Sequence, residues 1–341
     1  MRRVAPFVPL VILVALTISS AWVSAAHRPG GLAPIVPRPG VIRPVDSWSR
    51  IATVPAQPGL WKCATQNDGR TVGDGAVVAV SWEGWTITLA YVSQFRDASQ
   101  PWGHPTAQSV ALSQDGGEQI PWADLGPNQG PDGADGLNFI LAGVCLARFP
   151  GSESPIGLLF YEIPGSAGCC SVVRAVVPTS GQAVAVVDVG RYLPGPTQLQ
   201  NVAGTAAIST GDISFTGAFT DDADSAWPLL LFTFEGGAFV DVTARYPGSA
   251  RADATEKWSW FEEAHQQGRL VQGVLAAWTA DECNAGAGSE AWSTLESLAR
   301  QGVIAPGLYG NSLSGPAYLA GLGPFLHTHG YCATEPLNHS S

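Results

Sequence analysis

Lysine stands at only two positions of this 341-residue chain, Lys62 and Lys257, and methionine only at the first. Charged residues make up 13% of the chain and lean acidic, with 28 Asp and Glu against 17 Lys and Arg, a formal net charge of −11. A chain so poor in basic side chains has little with which to neutralise a phosphate backbone, which excludes nucleic acid as a partner. Cysteines are present but never in a C-x-x-C spacing, which argues against a structural zinc site. None directly follows the N-terminal apolar run, so an acylated cysteine anchor is excluded too. The catalytic signatures are missing or incomplete. Gly310-Asn-Ser312-Leu-Ser314-Gly315 comes near G-x-S-x-G but lacks the final glycine and has no strand leading into it. No cofactor is implied.

What is there begins with the first 26 residues. Arg2 and Arg3 precede an apolar run from Phe7 to Val23 that ends in Val23-Ser24-Ala25 and Ala26, the small-residue pattern cut by signal peptidase. Pro6, Pro9, Thr17, Ser19 and Ser20 weaken the run and favour a cleaved signal peptide; the other reading is an uncleaved anchor of nearly membrane-spanning length. Both place the rest of the chain outside the cytoplasm, touching a membrane only through this leader. Residues 27–58 carry seven prolines and no periodicity, the pattern of an extended linker. The six cysteines, Cys63, Cys145, Cys169, Cys170, Cys283 and Cys332, are an even number, so disulfides are the expectation in an oxidising compartment. Cys283 is expected to pair with Cys332 and the other four among themselves. A bond between the neighbours Cys169 and Cys170 would close a strained ring, so each is expected to pair elsewhere.

Residues 59–246 read as strands. In the clearest case, Ala76–Val92, two alternating runs flank the turn Glu83-Gly84, pairing Trp82 with Trp85, Val80 with Ile87, Val78 with Leu89 and Ala76 with Tyr91. Leu137–Cys145, Ile156–Ile163, Ser171–Val177, Gln182–Val189, Ile213–Phe219, Leu229–Phe234 and Phe239–Thr243 follow the same logic. Short strands with glycine turns imply an antiparallel sandwich, barrel or partial propeller. From 247 to 335 the period turns helical, over Ala250–Gln267, Leu270–Asn284, Glu290–Gln301 and Pro316–His329, with Ser289 expected as an N-cap and Gly302 just past a helix end. A short tail, 336–341, follows. The fold class is therefore α+β, a β-rich domain followed by a small helical bundle.

The stretch Phe239-Val-Asp-Val-Thr-Ala-Arg-Tyr-Pro247, then Ala252-Asp253-Ala254 and Trp258, resembles exported proteins of high-GC Gram-positive bacteria that have a β-rich half and a helical tail. The tail pattern Tyr318-Leu-Ala-Gly-Leu322, Phe325-Leu326, Gly330-Tyr331 is similar as well, and the abundance of Arg, Ala, Gly and Pro agrees with such a genome. Those proteins have no assigned activity, so the resemblance carries over no catalytic residue. The Phe-Val-Asp-Val-Thr strand also resembles FG-GAP propeller repeats, without their usual aspartate-rich loop.

Several residues are candidates for chemistry. Asp221, Asp222 and Asp224 cluster as calcium ligands would, but without the glycine and terminal glutamate of a full calcium loop; Asp132 and Asp135 invite the same idea. Glu262 and His265 form one E-x-x-H, where a carboxylate-bridged metal site needs two. His327, His329 and Cys332 have metal-like spacing. Asp281, Glu282, Glu290 and Glu296 supply carboxylates from which a glycosidase pair could be drawn. Trp61, Trp102, Trp122 and Trp227 lie near loops, where flat rings stack on sugars or plug a β core. The sequence thus points to an exported, disulfide-stabilised protein of the cell envelope or extracellular space. Its expected role is non-enzymatic binding or structural, with a cell-wall polymer or envelope protein as partner. The alternative is an envelope hydrolase using carboxylates in a cleft between the β and helical parts.

Overall fold

The computed structural model describes residues 57–65, 77–92, 106–114, 123–124, 140–162, 171–178, 184–195, 197–306 and 313–332. Among the described residues, thirteen strands come first: β1 (Trp61–Thr65), β2 (Val77–Trp82), β3 (Trp85–Val92), β4 (Thr106–Gln114), β5 (Ala123–Asp124), β6 (Ile140–Ala147), β7 (Ile156–Glu162), β8 (Ser171–Pro178), β9 (Val184–Leu193), β10 (Gln198–Val202), β11 (Thr205–Gly211), β12 (Leu229–Glu235) and β13 (Ala238–Asp241). They form three antiparallel sheets in the orders β2-β3-β4-β5, β1-β6-β7-β8-β9 and β10-β11-β12-β13. Apart from β1, every strand pairs with its neighbour in sequence, so each sheet is an up-and-down meander.

The β2–β3 hairpin has the register that its alternation dictates, with Trp82 opposite Trp85, Val80 opposite Ile87 and Val78 opposite Leu89. Glu83 and Gly84 both take positive φ, 50° and 77°, the mirror-image turn whose twist suits a two-residue hairpin. Ala203-Gly204 and Gly236-Gly237 repeat that geometry between β10 and β11 and between β12 and β13.

The sheets stack face to face, with the five-stranded one in the middle. On β7, Ile156, Leu158 and Phe160 point toward the third sheet and share a core with Leu199, Ala206, Ile208 and Phe234. The alternate residues face the first sheet, and there a Cβ added to Gly157 would stand 2.5 Å from Ile87 Cδ1. A strand covered on both faces reads as a continuous apolar run rather than an alternating one, which is why β7 is Ile-Gly-Leu-Leu-Phe-Tyr. Successive meanders stacked in this way resemble blades more than a closed barrel, whose strands would form one continuous sheet.

Ile213–Phe219, expected to be a strand, is not one. Asp212 Oδ1 accepts from both the backbone N–H (2.9 Å) and the hydroxyl (2.7 Å) of Ser214 and bends the chain into a 3-10 turn over Ile213–Phe215. Further 3-10 turns lie at Asp222–Asp224 and Thr243–Arg245.

Four helices follow: α1 (Pro247–Gln266), α2 (Gln272–Asn284), α3 (Gly288–Arg300) and α4 (Gly315–Thr328). Each ends at a glycine in the left-handed region, Gly268, Gly286, Gly302 and Gly330. The next residue's N–H reaches back over the last turn, as Val303 N does to Leu298 O (3.0 Å). Ser289 is not a cap but lies inside α3, whose N-cap is Ala287. α2 is buried from Gln272 through Asp281 and forms the bundle's axis. Phe215 and Phe219, from the segment after β11, insert between the helices and meet Phe325 edge-on at 5.0 and 4.9 Å. Sheets and helices fall in one unit, residues 43–341. Among the described residues, two disulfides join Cys63 to Cys145, directly opposite on β1 and β6, and Cys283 to Cys332, clipping the end of α2 to the chain beyond α4.

Candidate functional site

The densest polar cluster among the described residues lies where α1 and α2 meet the third sheet. The buried stripe of α1 runs Ala250, Ala254, Lys257, Phe261, Ala264, a helical spacing in which lysine occupies a core position. Lys257 is 2% exposed, and its ammonium contacts Asp253 one turn earlier and lies 3.0 Å from Oδ2 of Asp281, which is 0% exposed. Val242 N–H still donates to Leu231 O (2.8 Å), and past it side-chain oxygens take over as acceptors for β12. Thr243 Oγ1 accepts from Leu231 N (2.8 Å), and Asp281 Oδ1 from Leu229 N (2.8 Å). Asp281 therefore completes a β-ladder from a helix.

Burial pushes the Asp281 carboxyl well above the usual carboxylate range, and Asp253 adds to the push while Lys257 and the Leu229 N–H oppose it. Burial also works against the charge on Lys257, but attraction to Asp281 and Asp253 outweighs it and raises the amine above its ordinary value.

Two further polar links brace the same region. Gln272, wholly buried, donates from Nε2 to Ala305 O (2.6 Å) and Leu313 O (3.2 Å), while Tyr318 donates its hydroxyl to Gln272 O (2.9 Å). Tyr331 donates to Asp212 Oδ2 (2.8 Å), and burial followed by the Asp212 charge raises the Tyr331 phenol.

Of the carboxylates proposed for hydrolysis, Glu282 and Glu290 come near enough for the Glu290 charge to add to the upward push on Glu282. Asp281 is enclosed as described. Glu282, whose carboxyl burial pushes up, pairs with Arg251 Nη1 at 2.7 Å. Glu290 is exposed in the first turn of α3, and Glu296 lies 3.9 Å from Arg300 one turn on.

The acidic turn is held by its own bonds. Asp221 caps it by accepting from Asp224 N (2.9 Å), Ser225 Oγ donates to Asp221 O (2.8 Å), and Asp224 pairs with Arg269. Asp222 contributes no third ligand: among the described residues no three His, Cys, Asp or Glu side chains come together as a metal-holding group. Glu262 accepts from Trp258 Nε1 (3.0 Å), His265 stacks on Phe261, and His329 Nδ1 lies 2.9 Å from Phe325 O. Trp61 is buried in the core shared by the middle and third sheets. Trp227 donates to Thr216 Oγ1 (2.7 Å) and fills the space above Gly211, where a Cβ would meet its own Cβ at 2.4 Å. Trp102, Trp122, Asp132, Asp135, Cys169, Cys170 and residues 307–312 lie outside the described residues.

The Lys257 trio is absent from the sequence-derived candidates, which took Asp281 alone. A signal was available: one of only two lysines falls in the apolar stripe of α1, four residues after an aspartate.

Residues 250–330 match a family described as the sll0997 C-terminal domain, a span beginning in the first turn of α1 and ending just past α4. No curated protein and no solved structure matches the chain.

Proposed function

We propose that this chain is an exported protein of the cell envelope or extracellular space, with a binding or structural role and a cell-wall polymer or envelope protein as partner. The observation that carries the reading is the pair of disulfides, one in the sheets and one in the helices, each of a kind that persists in an oxidising compartment. The leader and the proline-rich spacer agree with it. Among the described residues, no helix is long and apolar enough to cross a membrane. The fate of the acidic groups adds support. Asp281 and Glu282 are each paired with a cation on α1, Lys257 and Arg251, whereas a glycosidase needs two carboxyls facing one another across open space.

The test is co-sedimentation of the oxidised full-length protein with purified cell-wall polysaccharide, alongside fractionation of producing cells. Extracytoplasmic recovery with polymer binding unchanged in Glu282→Gln and Glu290→Gln is the expected result. Turnover of a wall fragment that those substitutions abolish would make the chain a hydrolase and overturn the reading.

A further inference from the structure

From the arrangement around Lys257 we infer that this residue is the site of an intramolecular amide bond, joining Lys257 Nζ on α1 to the side-chain carboxyl carbon of Asp281 on α2.

Each part that an unassisted condensation requires is in place. The nucleophile is the amine of a lysine only 2% exposed, and its nitrogen stands 3.0 Å from Asp281 Oδ2. That oxygen is fully buried and paired with the ammonium in a site closed to solvent. The other oxygen, Oδ1, accepts the Leu229 N–H, which polarises the group and is positioned to stabilise negative charge as a tetrahedral centre forms. Asp253 also contacts Nζ and is 24% exposed, which suits it to carry protons rather than to be consumed. Helix packing holds the partners together, so the entropy of bringing amine and acid into contact is lost in folding and not in the reaction.

The step balances without a co-reactant. Asp253 takes a proton from the ammonium, and the freed lone pair attacks Asp281 Cγ. One N–C bond forms. Asp253 then passes both nitrogen protons to Oδ2, the one it first took and the one released as the new bond forms, so that this oxygen leaves as water, one C–O bond breaks and Asp253 returns to its starting state. No electrons are transferred. The product replaces a buried charge pair, costly to desolvate, with a neutral amide. It would also join α1 to α2 within the residues that match the sll0997 C-terminal family.

The assay is intact-mass spectrometry of the oxidised protein after complete denaturation and reduction of its disulfides. The expected mass is one water below that of the sequence. Trypsin should then leave peptide 252–269 uncut at Lys257 and covalently attached to peptide 270–300. Lys257→Arg should restore the full mass, and Asp253→Asn should lower the fraction linked. Full mass in the parent protein overturns the proposal, as does a lost water traced to any other pair of residues, such as a succinimide at an Asp-Gly step. Because the parent protein decides the matter, a variant that fails to fold leaves the result intact.

Discussion

Replacing Gly157 by alanine tests the stacking of the first sheet on the middle one. The new Cβ would stand 2.5 Å from Ile87 Cδ1 and 3.3 Å from Val176 Cβ, the first of these well inside contact distance. Ile87 is 0% exposed, so its terminal methyl has nowhere empty to move. Overpacking of this kind costs about 1–3 kcal/mol, offset by about 0.4–1 kcal/mol because alanine has less freedom than glycine in the unfolded chain. A net loss of about 1–2 kcal/mol follows, lowering Tm by roughly 2–3 °C in a protein of this size. Ile87→Val removes the colliding methyl and alone should cost about 0.5–1.5 kcal/mol. The double variant should be more stable than the sum of the single losses predicts. Urea melts followed by tryptophan fluorescence supply all four corners of the cycle. Additivity within about 0.5 kcal/mol, or an unaltered Gly157→Ala protein, would show that β3 does not lie on β7.

Three further outcomes can be measured in the same way. Asp281→Ala leaves the Lys257 amine and the Leu229 N–H without their partner and should cost about 3–5 kcal/mol. Asp281→Asn, which keeps an acceptor for Leu229, should cost less, and equal losses would contradict the ladder role. Replacing Cys283 and Cys332 by alanine opens a link across 49 residues and should cost about 4 kcal/mol in the chain-entropy picture, read as a downward shift of the melting midpoint under non-reducing conditions, and an unchanged midpoint would refute it. Burial raises the phenols of Tyr318 and Tyr331 above the ordinary tyrosine value, so above about pH 10 the unfolded chain sheds protons that the folded one retains. The stability these residues contribute is present below that pH and lost as pH rises. A Tyr331→Phe protein should show a shallower alkaline loss, and identical pH profiles would refute the assignment.

Much of the architecture was legible because local chemistry and burial agreed. Trp82 meets Trp85 across Glu83-Gly84 because the alternation and the turn specify the same register, and the glycine beyond α3 marks that helix end. The β10–β11 hairpin was missed because Ala203 carries none of the usual signals for positive φ; Asn201 Oδ1, accepting from Gly204 N at 2.9 Å, supplies the turn chemistry two residues early. Ile213–Phe219 misled because its apolar residues serve the helical core, through Phe215 and Phe219, and not a sheet. The Lys257 trio could not be assembled from spacing alone. Asp253 and Lys257 are a turn apart, but Asp281 reaches them only through the packing of α1 on α2, and its tie to Leu229 spans 52 residues.

The position of β1 bears on what happens when the backbone is cut. Its partner β6 lies beyond the whole first sheet, so that four-stranded meander leaves and re-enters the middle sheet at adjacent strands, with Cys63 bonded to Cys145 across the doorway. A protease that nicks the chain once anywhere between 64 and 144 therefore releases nothing. The two pieces remain a single covalent particle until the bond is reduced, and a non-reducing gel would report such damaged molecules as whole.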